Sequence, residues 1–268
     1  MKRVDIERLG RISGFDVDIR AVHQRSSNIS LLRLKRREAV EMESWDFDVH
    51  LMVLVGEIEV TSGESEEVFK TGCLVSILPG QSFRIKAIED SRVVIVRDDP
   101  LWTLRERRSV RKYAEIPVPK EIIEKIVDFS RLAPSGGNLQ PWRVYITSSE
   151  DKKRALAKAS FGQEHVAEAP WVIVIAAVPK ESGKEYGRRG EELYSIQDTA
   201  SLALYIMLTA KAYGLDTCWV GAFDEEEVRK IVGMRDDERP VVLIPVGYAD
   251  ESPEVPERKP LRVILKEF

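Results

Sequence analysis

Three segments of this 268-residue chain gather side chains suited to holding a flat, anionic ligand. The first, Arg107-Arg108-Ser109-Val110-Arg111, puts three guanidinium groups and a hydroxyl within five residues. Each guanidinium offers paired N–H donors in one plane and stays charged at any working pH, which suits phosphate and the oxygen-bearing edge of a heterocycle. Taken alone, such a cluster is more often a solvated surface. The second segment is Ala133-Pro134-Ser135-Gly136-Gly137-Asn138-Leu139-Gln140-Pro141-Trp142. Its small residues admit a flat ligand, and Ser, Asn and Gln supply donors and acceptors for the ligand's edge, although the same residues also make a plain loop. The third, Trp219-Val220-Gly221-Ala222-Phe223, leaves a strand just before a capped helix, where small residues let backbone N–H groups approach a ligand closely.

Other chemistries have little to work with. The histidines are His23, His50 and His165, and the cysteines are Cys73 and Cys218, each inside an apolar run. No zinc-type Cys pair and no catalytic triad is visible, and a disulfide framework is excluded, which fits a reducing cytoplasm. His165 precedes the Ala169-Pro170 entrance to a strand, where lining a pocket competes with the commoner structural role. A bound organic cofactor is therefore the expected reactive centre. The net charge of −4 gives no attraction to nucleic acid or anionic lipid, and no run approaches the length of about 20 apolar residues that spans a bilayer. The N-terminus lacks the apolar core of an export signal.

The elements that position these segments differ along the chain. From Ile29 to about residue 97, short apolar runs alternate with turns at Gly56, Ser62-Gly63, Gly72 and Pro79-Gly80, the rhythm of a sandwich or barrel. Strands are expected at 29–34, 50–55, 57–60, 73–78, 83–85 and 93–96. Asp98-Asp99-Pro100 breaks this pattern. Beyond it, Pro119 opens a helix whose face is Ile122, Ile126 and Phe129; 142–147 and 171–178 read as strands. Ser195 to Tyr213 is a long helix, apolar on nearly every side, so it must be buried within the domain or between subunits. Thr217 to Val220 is a short strand, Asp224 and Glu227 form a capping box, and 241–247 is the last strand.

Read together, R-R-S-V-R at 107–111, A-P-S-G-G-N-L-Q-P-W at 133–142, Q-D-T-A at 197, G-L-D-T-C-W-V-G-A-F at 214–223 and E-R-K-P-L at 257–261 resemble the FMN-dependent nitroreductase family. The resemblance covers about 104–268. It implies an α+β sandwich and a homodimer holding two FMN molecules at its interface. Carried over residue by residue, Arg107, Arg108, Ser109 and Arg111 grip the phosphate, ribityl chain and pyrimidine edge. Pro134, Ser135 and Gly136 cover the ring system from the partner subunit, with Asn138 and Gln140 shaping the same loop. Backbone at Val220, Gly221 and Ala222 faces the ring, and Arg258 reaches the phosphate. Gly136 and Gly137 depart from the larger residues of many relatives, which implies a looser contact with the ring. The polar stretch Pro179 to Arg189 stands where relatives often insert a substrate-covering element.

The first hundred residues resemble a cupin-like double-stranded β-helix, on the rhythm at 50–60 and 72–83. Metal ligands are missing from this pattern: Phe83 stands at the late histidine position, and Glu43 and Trp45 near the early pair, so the barrel is expected to be metal-free. The expected organisation is an all-β cupin-like domain over 1–100 followed by an FMN-binding nitroreductase-like α/β sandwich over 101–268. The expected activity is transfer of electrons from NAD(P)H to a nitroaromatic, quinone-like or other electron-poor small molecule by a ping-pong route. A dehalogenase-type flavoenzyme and a non-catalytic flavin or ligand sensor, with the barrel as effector module, are the competing readings.

Overall fold

Period-2 alternation in the first hundred residues gives strands with one dry face and one wet face. A computed structural model describes residues 29–43, 48–97 and 101–268, and the chain divides into two compact units after Arg105. In the first unit, β1 (Ile29–Leu34), β2 (Ala39–Met42), β3 (Val49–Val55), β4 (Glu57–Ser62), β5 (Ser65–Lys70), β6 (Leu74–Ile77), β7 (Phe83–Ala87) and β8 (Ser91–Arg97) form two four-stranded sheets. Their orders are β1-β8-β3-β6 and β2-β7-β4-β5, antiparallel throughout. Leu51, Val53 and Val93 from one sheet and Ile58 and Ile85 from the other are fully buried in a single core. Ser91 is the one buried polar residue of this unit among the described residues; its hydroxyl faces the carbonyls of Glu57 and Glu89 at 3.1 and 2.8 Å. Gly56 turns β3 into β4 at φ +91, where a Cβ would lie 2.6 Å from the Asp90 carbonyl.

All six expected strands form, and β2 and β5 are additional. Strand β5 is an edge strand with Glu66, Glu67 and Val68 exposed, so its sequence carries no apolar face to read. His50 pairs its Nδ1 with Ser76 Oγ at 2.9 Å, and Phe83 lies in the core. His23, Trp45, Asp98-Asp99-Pro100 and the N-terminus fall outside the described residues.

In the second unit, β9 (Trp142–Thr147), β10 (Trp171–Ala177), β11 (Asp216–Thr217) and β12 (Arg239–Gly247) form an antiparallel sheet ordered β11-β12-β10-β9. Alternate residues of β10 and β12 enter two different cores. Ile173, Ile175, Val242 and Ile244 meet α2 (Lys120–Ser130) and α6 (Ser195–Ala212) on one face. Val172, Val174 and Leu243 meet α3 (Glu150–Ala159), α4 (His165–Glu168) and α7 (Glu225–Val232) on the other. A short α1 (Trp102–Glu106) precedes them, and α5 (Pro179–Arg189) and α8 (Leu261–Ile264) complete the helices named here. The unit is thus an α+β sandwich of three layers.

Three expectations need correction, and one stretch left unassigned by sequence is a helix. The buried face of α2 is Ile123, Ile126 and Ser130, and Phe129 is exposed, because the helix is rotated by one residue from the Ile122 stripe. The strand expected over 217–220 ends at Thr217, and Val220 bridges separately to Leu243. The stretch 179–189 is helical, with Pro179 at its first turn. The capping box is half made: Asp224 Oδ1 accepts from Glu227 N at 3.0 Å, while the Glu227 side chain pairs with Lys230.

Candidate functional site

The arginine segment is pinned to the end of the sheet. Ser109 bridges Thr217 in parallel, and Val110 N–H donates to the Thr217 carbonyl at 3.0 Å. Glu251, just beyond β12, accepts from the backbone N–H groups of Arg111 and Lys112 at 2.5 and 3.2 Å. Tyr113 closes the underside by donating to the Val110 and Pro245 carbonyls. With its backbone fixed, the segment leaves the Arg111 side chain exposed and Arg107 and Arg108 half-buried.

Buried polar groups surround this segment. Thr217 Oγ1 and His165 Nε2 are sealed from solvent without a hydrogen-bond partner. Burial holds the His165 imidazole below its ordinary range, and the nearby Arg111 charge adds to that. Burial also pushes the Cys218 thiol up, against the pull of Arg111, which leaves it protonated and unreactive. A protein interior tolerates few such orphaned groups, and two of them lie beside the arginine segment, which makes it a candidate ligand site.

The loop after α2 is a separate construction. Gly136, Gly137 and Asn138 form a single 3-10 turn with Gly137 at φ 55. Ser135 Oγ accepts from Gln140 N–H at 3.0 Å, and the Gln140 amide turns back onto Asn138. Gly136 N–H donates to Asp198 Oδ1 at 3.0 Å, while Asp198 Oδ2 stays buried and unpartnered. Burial raises the Asp198 carboxyl above its ordinary value, and the Gly136 hydrogen bond opposes that only in part. The space beside the two glycines is filled by the Tyr186 ring from α5.

The third segment hangs from the sheet through paired bonds of Val220 with Leu243 at 2.9 and 3.0 Å. Gln163 Nε2 donates to the Ala222 carbonyl at 3.0 Å, and Asp224 N–H donates to the Ala159 carbonyl. Gly221 and Ala222 are exposed between these ties, and a Cβ on Gly221 would approach Trp219 Nε1 to 3.2 Å. Arg258 lies in the exposed segment after β12, with no hydrogen-bond or ion-pair partner among the described residues.

Register places the two polar groups far apart within one chain. The arginine segment meets β11, whose Asp216 pairs with Gly247 beside the Trp171 end of β10. The 134–140 loop leads into Trp142, which pairs with Ala177 at the other end of β10. Seven residues of strand span about 20 Å. The third segment crosses between them at Leu243, opposite Val174. Asp198, Thr217, Tyr186 and Gln163 were not singled out as site residues by sequence. Asp198 had a signal, a lone carboxylate opening an otherwise apolar helix.

The nitroreductase family model matches residues 104–167 and 158–248 of this chain. The chain belongs to the nitroreductase family. A Thermus thermophilus protein named NADH dehydrogenase is 34% identical over 188 residues, covering 60% of this chain and 92% of that protein. Among solved structures, a nitroreductase-like protein of Streptococcus mutans aligns with a TM-score of 0.59 at 21% identity, over 63% of this chain and 97% of that one. An Exiguobacterium sibiricum protein in complex with FMN aligns at 0.57 and 26% identity, over 63% and 97%. The nitroreductase match begins at residue 104, so it concerns the second unit. Among the described residues, no group of three His, Cys, Asp or Glu is placed to hold a metal, and no helix is long and apolar enough to cross a membrane.

Proposed function

We propose that this chain, an NAD(P)H-dependent FMN oxidoreductase, passes electrons to a nitroaromatic, quinone-like or other electron-poor small molecule, with donor and acceptor using one pocket in turn. The observation that carries the reading is the arginine segment bonded to Thr217, with buried, unpartnered Thr217 Oγ1 and His165 Nε2 beside it. That donor set fits a phosphate and a heterocycle edge. Arg107, Arg108, Ser109 and Arg111 would hold FMN there, Val220, Gly221 and Ala222 would present backbone to its ring, and Arg258 would add charge near the phosphate. When bound, FMN supplies the two-electron carrier. The chain's own residues would bind and orient it; Arg111 would offset negative charge on the ring edge, and no side-chain nucleophile would be required.

The separation of the arginine segment from the 134–140 loop supports a homodimer, in which Pro134, Ser135, Gly136, Asn138 and Gln140 of one copy cover the cofactor held by the other. Leu204 and Tyr205 on α6 and Leu261, Ile264 and Leu265 at the C-terminus are exposed apolar residues suited to that contact. The first unit is read as a metal-free cupin-like barrel over 1–100, supported by strand orders that match a double-sheet jelly roll. The sparse cysteines, Cys73 and Cys218, both free, favour a reducing compartment such as the cytoplasm. The deciding experiment is anaerobic titration of the purified protein. Bound flavin absorption should bleach with NAD(P)H and return with an acceptor; protein that binds no flavin refutes the proposal, and bound flavin that NAD(P)H never bleaches favours a sensor.

A further inference from the structure

The sheet face of the second unit that carries Val172, Val174 and Leu243 is not completely filled. Between β9, β10, α3 and α7 it leaves a cavity of about 110 Å³. Leu156 and Val174, both 1% exposed, form its floor, and Ile231 and Val232 from the last turn of α7 form a side wall. Protein interiors normally pack such space closed, and apolar walls give water few partners, so the cavity suits an apolar guest. Thr147 and Lys152 line it and reach solvent, which gives it a mouth.

That mouth is polar and positively charged. Lys152, in the first turn of α3, is exposed and has no hydrogen-bond or ion-pair partner among the described residues. Its neighbour Lys153 is instead spent on Glu150 and on the Ala169 carbonyl, at 2.8 and 2.7 Å. Thr147 Oγ1 accepts from Ser149 N–H at 3.2 Å and keeps its own proton to donate. Tyr145 adds an aromatic edge, but its hydroxyl donates to the buried Glu238 carboxylate. Glu238 also accepts from the Arg235 backbone N–H at 3.2 Å and pairs with Arg235 Nε at 3.0 Å. The Glu238 charge is thereby offset and does not oppose an anion at Lys152.

We propose that this cavity binds a compact apolar monocarboxylate, with its hydrocarbon tail inside and its carboxylate at the mouth on Lys152 and Thr147. Benzene occupies an engineered cavity of about 150 Å³, so the smaller space here takes a tail of about four or five carbons. Burial of the tail supplies most of the affinity, and the exposed cation supplies preference for a charged head over a neutral one. No residue of the three segments assigned to FMN lines the cavity, so this is a second site and does not depend on the flavin reading.

The test titrates the full chain, carbon-13-labelled at its Ile, Leu and Val methyls, with 3-methylbutanoate, whose tail has no ring to stack on a flavin. Methyl resonances of Val174, Ile231 and Val232, identified by single substitution, should shift and saturate. The neutral isostere 3-methylbutanamide should bind about threefold to fivefold more weakly, and acetate, which lacks the tail, should leave these methyls unmoved. Lys152→Met should bring acid and amide to equal affinity, and Ile231→Phe should abolish the shifts by filling the cavity. No saturable shift at about 20 mM acid overturns the proposal. So does binding that survives Ile231→Phe, a preference for the acid that survives Lys152→Met, or an equal response to acetate. Should Ile231→Phe fail to fold, Val232→Phe replaces it, and the exposed Lys152→Met decides if neither folds. Protein that binds no flavin leaves this proposal standing, and a failed titration leaves the oxidoreductase reading standing.

Discussion

The two units solve burial in opposite ways. In the first unit, the core from Leu32 to Ile95 is apolar, and its single buried polar residue among the described residues, Ser91, has both carbonyl partners in place. The α+β unit buries Asp198, His165 and Thr217 and leaves one atom of each unpartnered. Orphaned polar atoms cost stability, so a fold retains them where something else repays the cost. Among the described residues, the first unit thus satisfies its buried polar group internally, and the second does not.

Four measurements can break or sharpen that contrast. Leu51→Ala opens a cavity in an apolar core, and should cost about 2–5 kcal/mol in urea denaturation. A near-neutral result would mean that the first unit's interior is not close-packed. Arg111→Ala should weaken FMN binding by about 1.5–3 kcal/mol, read by recovery of flavin fluorescence on dilution; unchanged retention returns Arg111 to the solvated surface.

Thr217→Val and Ser91→Ala should differ in sign. Removing an unpartnered hydroxyl should stabilise the cofactor-free protein by about 1 kcal/mol, and removing a satisfied one should destabilise it by about as much. Equal signs in thermal melts would erase the distinction between the units. Asp198→Asn should give the smallest effect, visible in its pH dependence. Burial raises the Asp198 carboxyl in the folded state, so its contribution is most favourable below the ordinary carboxylate value of 3.8 and is lost as pH rises through the raised value. The stability of the Asn variant relative to wild type should therefore increase from about pH 4 upward; a flat difference would show that the carboxyl feels no burial.

Much of the second unit was legible because its segments obey local rules. Strand β10 announced itself by an unbroken apolar run, and Asp224 by its place before an acidic first turn. What escaped depended on contacts distant in sequence. Tyr186 is one aromatic residue in a polar stretch, and only the fold shows that its ring occupies the space left by Gly136 and Gly137. The face of α2 was misread by one position because Ile122 and Ile123 are equally apolar, and packing against α6 decides between them. Helix α6 looked apolar all round, yet Leu204 and Tyr205 stay exposed, as a surface reserved for another chain would be. In the first unit, β5 was missed because only Phe69 of this edge strand packs against the core, too little pattern to read.

That wet edge bears on how the protein behaves when crowded. A sheet margin displays free N–H and C=O groups at the spacing another strand would match, and a flat apolar margin recruits neighbours indefinitely. Glu66 and Glu67 stand on β5, and Lys70 reaches across to Glu57 at 3.7 Å. A second copy of this sheet arriving edge-on meets Glu66 and Glu67 before it meets backbone, so growth by strand addition is discouraged at the first encounter.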